Sequence, residues 1–114
     1  MKTSELIGPA LDWAVVKAEG LATGQTAIDG VLYGYYTPST DQALGGSIID
    51  REDISTVLLY GTTWGATTYN VQDIVLDHNE AHYQGIGPTR LIAAMRCYVS
   101  IKLGDEVEIP QELI

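Results

Sequence analysis

A chain of 114 residues holds one domain of typical size, and its 46% hydrophobic and 18% charged residues mark a folding sequence rather than a disordered one. Fifteen acidic residues against six basic ones give a formal net charge of -9. That balance excludes ordinary nucleic-acid binding, which draws its affinity from clustered Lys and Arg releasing counterions; here Lys2, Lys17, Arg51, Arg90, Arg96 and Lys102 are scattered. The acidic clusters, Asp50, Glu52, Asp53 and Asp105, Glu106, Glu108, look like solvated rims rather than one continuous face that imitates nucleic acid. No apolar run reaches the ~20 residues of a membrane span, and the start lacks the apolar region of a signal peptide. A single cysteine, Cys97, forms no internal disulfide and fits a reducing cytoplasm as a packed core residue. A domain this small has a thin stability margin, which favours a homo-oligomer.

The first helix is predicted from Pro9 to Gly20: proline suits a first turn and glycine the position past the last one. Leu11, Ala14, Val15 and Ala18 share one side, and Trp13 lies off it, at the core margin or in an interface. Thr26 to Thr37 is strand material, with Asp29-Gly30 as a two-residue hairpin signal. Ser39 with Gln42 matches a capping box, so a short helix is expected from there, ended by Gly45-Gly46. Ile48, Ile49 and Ile54 are apolar anchors around a charged stretch. Thr56 to Tyr60 is predicted as a central strand, Gly61 to Tyr69 as a turn with extended flanks, and Val71 to Leu76 as another strand. Asp77 to Gly87 is expected to be a loop. The second long helix opens around Pro88-Thr89, carries Leu91, Ile92, Met95, Tyr98 and Val99, and stops at Gly104. Val107 and Ile109 alternate with Glu106 and Glu108, a half-exposed strand that Pro110 ends. These elements predict a single α+β domain over residues 1–114, a small antiparallel sheet packed against two main helices plus a short helix.

No constellation of ordinary catalysis is present, and no cofactor or metal is implied. His78 and His82 are four apart, but Glu80 falls on the wrong side for a zincin motif, and the segment lacks a helical pattern. No serine sits in a nucleophile elbow, and no P-loop occurs. A milder signal is Gly85-Ile86-Gly87-Pro88-Thr89-Arg90, a glycine-bearing loop delivered into a helix start, where free amides and the helix dipole favour an anion. Thr89 adds a hydroxyl and Arg90 a fork of donors suited to phosphate. Ser39 and Thr40 offer a second, smaller helix start beside Tyr36. Tyr36 or Trp64 is expected to stack on a base, with Arg51 and Arg96 as further phosphate partners.

Three blocks resemble the NinX-like phage proteins, a family encoded by tailed phages and prophages of enteric bacteria. They are 2–6 with 10–15, 36–41 with 45–49, and 87–89 with 91–99, and the ending 104–110 fits as well. The chain departs from the family pattern where that pattern carries tryptophan near Gln42 and proline near Ser47, and 56–84 matches poorly. The resemblance implies no catalytic residues; it implies a small accessory phage product acting in the host cytoplasm. By analogy with phage proteins that soak up immune messengers, the leading expectation is a non-catalytic sponge for a cyclic or ADP-ribose-derived nucleotide. The second is an acidic protein-binding antagonist of a host defence or replication factor, contacting its target through aromatics such as Trp13. The third is a nucleotide-degrading enzyme built on His78 and His82.

Overall fold

In a computed structural model of the chain, which describes residues 1–68, 80 and 83–114, Pro9 occupies the first turn of α1 (Gly8–Ala18) and Gly20, at φ 75°, closes its far end. Ala10 to Val16 are all buried, so the helix is embedded rather than laid along a surface. Trp13 belongs to the core margin at 6% exposure, with the Lys17 ammonium 5.7 Å from its ring centre. It is therefore not the exposed aromatic that a protein contact would use.

The hairpin expected at Asp29-Gly30 is absent, and the segment is helical as α2 (Gln25–Leu32). Ile28 and Val31 fit the outcome: three residues apart, they share one side of a helix. Both are buried, and α2 packs against α1. Gln25 supports the helix by donating to Asp29 four residues on. The punctuation is Gly34, not Gly30. Gly34 takes φ 81°, and the Tyr35 and Tyr36 amides return to the Gly30 carbonyl.

The third helix also differs from expectation. α3 (Gln42–Glu52) begins beyond Ser39 and is capped by Asp41, whose carboxylate accepts from Ala43 N at 2.8 Å and Leu44 N at 3.3 Å. Gly45 and Gly46 lie inside the helix instead of ending it. A Cβ at Gly45 would strike the Pro38 carbonyl and Leu91, so glycine here permits close approach. The end falls at Asp53, which adopts the left-handed conformation, φ 56°. Ile48, Ile49 and Ile54 are buried as anchors.

β1 (Ser55–Tyr60), β2 (Thr63–Thr67) and β3 (Gly85–Gly87) form an antiparallel sheet in that order. Among the described residues β1 is an edge rather than the central strand, with Leu58 and Tyr60 exposed; β2 holds the centre. Gly61 and Thr62 make the turn between them, the expected turn with extended flanks. β3 corrects the expectation of a loop up to Gly87. The strand expected at 71–76 lies outside the described residues.

α4 (Arg90–Leu103) is the second long helix, capped by Thr89 and stopped by Gly104 as its sequence predicts. Seven of its residues are buried, and it packs against β1, β2, β3, α1 and α3. The final segment is not a strand. It contributes one isolated bridge, Glu106 to Lys2, and the Met1 and Val107 backbones bond in both directions, before a 3-10 turn at Gln111–Leu113. The architecture is thus α+β, with the small antiparallel sheet laid on α4, α1 and α3 packed on the same helix, and α2 packed on α1.

Candidate functional site

The glycines before α4 are a packing device. A Cβ at Gly85 would strike the Ala93 carbonyl and reach the Cys97 amide nitrogen at 2.5 Å, and one at Gly87 would reach Ala93 N at 2.9 Å. They let β3 lie directly on the helix backbone. Thr89 is exposed, and its hydroxyl accepts from Ile92 N at 3.1 Å, which occupies one of the first-turn amides. Arg90 turns to neutral partners: Nε donates to the Thr56 hydroxyl at 3.0 Å and one terminal nitrogen to Gln42 Oε1 at 3.5 Å.

Tyr36 is held elsewhere. It lines an apolar cavity of about 370 Å³ with Val16, Leu21, Ala27 and Gly30, and neither Thr89 nor Arg90 borders that space. Burial raises its hydroxyl pKa, and the charges of Glu19 and Asp12 add to the rise against the pull of Arg51. Ser39 is buried, and its amide donates to Asp12 Oδ1 at 2.9 Å. Thr40 is exposed, but the helix start imagined at Ser39 and Thr40 is displaced to Asp41. Arg51 is engaged by Glu52 at 2.8 Å, by Glu19 at 3.0 Å and by the Tyr98 hydroxyl at 3.1 Å. Trp64 lies half-buried in β2, paired with Leu58 and Gly87 and packed against the core. The eight candidates are therefore spread over several surroundings, with Tyr36 and Arg51 in one and Arg90 in another.

Arg96 is the candidate that borders a cavity with charged residues in its wall. This space, about 270 Å³, opens between the N-terminal turn, the entry to β3 and one face of α4. Lys2, Ser4, Tyr83, Gln84, Arg96 and Ser100 bring polar or aromatic groups to it, and Asp105 and Glu106 complete its wall. Arg96 and Ser100, four apart on α4, lie on one helix face. The Arg96 guanidinium donates from Nε to the Leu6 carbonyl and from a terminal nitrogen to the Ile86 carbonyl, both at 2.9 Å. It makes no ion pair among the described residues. Burial lowers its pKa, yet a guanidinium stays charged at any physiological pH. Two cations against two carboxylates leave the wall formally neutral inside a chain of net charge -9.

Lys2, Gln84 and Ser100 were not legible as site residues. No motif marks them, and they meet only because the chain's first turn docks against the far end of α4. Among the described residues no three His, Cys, Asp or Glu side chains converge to hold a metal ion, and no helix is long and apolar enough to cross a membrane. His78 and His82 lie outside the described residues. A search of curated proteins finds no match to the chain. A family model described as Bacteriophage P22, NinX matches residues 2–102, so the chain belongs to the NinX family of phage proteins.

Proposed function

We propose that the chain is a non-catalytic binding protein that sequesters a small anionic ligand of the nucleotide class in the cavity beside Arg96. The ligand is a cyclic or ADP-ribose-derived nucleotide of host immune signalling, captured in the host cytoplasm. The observation that carries this reading is Arg96, which borders a cavity and, among the described residues, has only two of its five guanidinium donors bonded and no carboxylate paired to it. Membership of a phage family supplies the setting. The cavity, about 270 Å³, falls just short of the range of ~300–1,000 Å³ usual for small-molecule sites. One nucleotide unit occupies it, and a second copy of the chain covers the remainder of a larger ligand.

Calorimetry against cyclic dinucleotides, cyclic trinucleotides and cyclic ADP-ribose species tests the reading. The expected result is binding by one class, weakened at least tenfold in Arg96→Lys and in the surface variant Lys2→Ala, with ligand recovered chemically intact after heat denaturation. No heat from any member removes the proposal, and a cleaved ligand replaces it with an enzyme.

A second reading, an antagonist that binds a host protein, is favoured by the apolar side chains exposed at the end of α2. Leu32 is 44% exposed, Tyr33 69% and Tyr35 83%. Such a cluster suits the core of a protein contact. Capture of a stoichiometric host protein by the wild type, lost in Tyr33→Ser with Tyr35→Ser, supports this reading over the first.

A further inference from the structure

Gln84 is held in one orientation by its neighbours. Its Oε1 accepts from the Thr68 amide at 2.9 Å, the Thr68 hydroxyl at 2.9 Å and the Thr67 hydroxyl at 3.2 Å. A backbone N–H donates and never accepts, so the carboxamide atom facing Thr68 is the oxygen. The Gln84 amide donates in turn to the Ala66 carbonyl at 3.0 Å, which fixes the residue to the end of β2. The carboxamide is planar, so pinning the oxygen also pins the amino group, and no acceptor among the described residues takes either Nε2 hydrogen. Gln84 borders the same cavity as Arg96.

We infer that Gln84 is the specificity residue of this cavity and selects a ligand whose facing edge carries a carbonyl oxygen, as a keto nucleobase does, over one that presents an amino group there. The inference rests on the binding reading above and narrows it to guanine-type cyclic nucleotides, because the adenine of an ADP-ribose-derived ligand carries an amino group at that position. An amino group turned toward Nε2 places donor against donor and leaves the pair unbonded, whereas a carbonyl accepts. Guanine and adenine differ in this way, with O6 an acceptor and N6 a donor at equivalent positions. Arg96 supplies the charge that attracts the phosphate, and Gln84 supplies the discrimination.

The test compares GMP with AMP, and the guanine with the adenine cyclic dinucleotide, on the full chain and on Gln84→Glu. The glutamate keeps an oxygen toward Thr68 but turns an acceptor to the cavity. The expected result is a guanine preference of at least tenfold in the wild type that collapses or inverts in Gln84→Glu, whatever the loss in absolute affinity. Equal affinities in the wild type, or a ratio unchanged in Gln84→Glu, overturn the inference while leaving binding intact. Binding of none of the four probes overturns this inference, and only silence from the cyclic trinucleotides and cyclic ADP-ribose species as well removes the sequestration reading. Should Gln84→Glu lose its near-ultraviolet circular dichroism, the wild-type ratio alone decides.

Discussion

Cys97 and Tyr98 are neighbours in α4, and loss of water sets the chemistry of both. Burial pushes the Cys97 thiol up to about 12. Burial also pushes the Tyr98 hydroxyl up to about 12, assisted by its hydrogen bond to Glu19. The native thiol is therefore neutral and inert, and alkylation by iodoacetamide at about pH 8 is expected only after unfolding. In the unfolded chain the same groups ionise near 9 and 10, so alkali favours unfolding. Their contribution is complete below pH 9 and is lost as the pH rises toward about 12. Urea midpoints should fall over that window, and in Cys97→Ala the decline should begin about one pH unit later. Asp12 titrates in the same direction at lower pH, as a carboxylate buried with one backbone donor. Burial raises its pKa against the Ser39 hydrogen bonds, so the carboxylate it must form at neutral pH costs stability, and that cost disappears as acid protonates it. Asp12→Asn keeps an acceptor for Ser39 N without the charge and should melt at or above the wild-type temperature at pH 7. Asp12→Ala orphans that amide and should lose about 1–3 kcal/mol.

At the level of elements, the two kinds of glycine give opposite predictions. Gly30 lies inside α2 with nothing within 4 Å of a Cβ, so Gly30→Ala should stabilise by about 0.5–1 kcal/mol through helix propensity. A hairpin turn at Gly30 would make the same change destabilising, which makes denaturant unfolding of this variant a direct test of α2. Gly85→Ala drives a methyl into the α4 backbone and should cost about 1–3 kcal/mol or more, read in the same experiment. These positions also show what the sequence made legible. α1 and α4 were readable because Pro9, Gly20, Thr89 and Gly104 punctuate them and their apolar spacing is helical. α2 is hidden in the sequence because Asp29-Gly30 is a strong local turn signal, overridden by burial of Ile28 and Val31 against α1. α3 was misplaced because Ser39 and Asp41 both suit a cap, and only packing of Gly45 on Pro38 and Leu91 favours the later start. Of the proposed site, Arg96 is nameable from the sequence as a cation, but its place in one cavity wall with Lys2 and Gln84 joins three segments that no local pattern connects.

For the whole molecule, the relation between local and global charge governs how an anionic ligand arrives. The cavity wall is formally neutral while the chain carries -9, so a phosphate is repelled at long range and held only on contact. Screening shortens that repulsion to about 8 Å at physiological ionic strength. Association with a cyclic dinucleotide should therefore speed up as salt rises from about 10 to 150 mM, the reverse of a basic nucleotide binder. Stopped-flow rates across that range check it, and a rate that falls with salt would place the ligand on a positive surface elsewhere.

The central place of α4 has a consequence for biosynthesis. The helix that the sheet, α1 and α3 all pack against lies late in the sequence, at Arg90–Leu103. Translation runs from the N-terminus at about 5–20 residues per second, so Leu11, Val15 and Ile48 emerge before the surface that will cover them exists. Until roughly residue 103 is clear of the exit tunnel, the nascent chain carries exposed apolar helices and no finished core. Cooperative folding is consequently a single late event, and a message truncated ahead of Arg90 yields a sticky fragment rather than a smaller working domain.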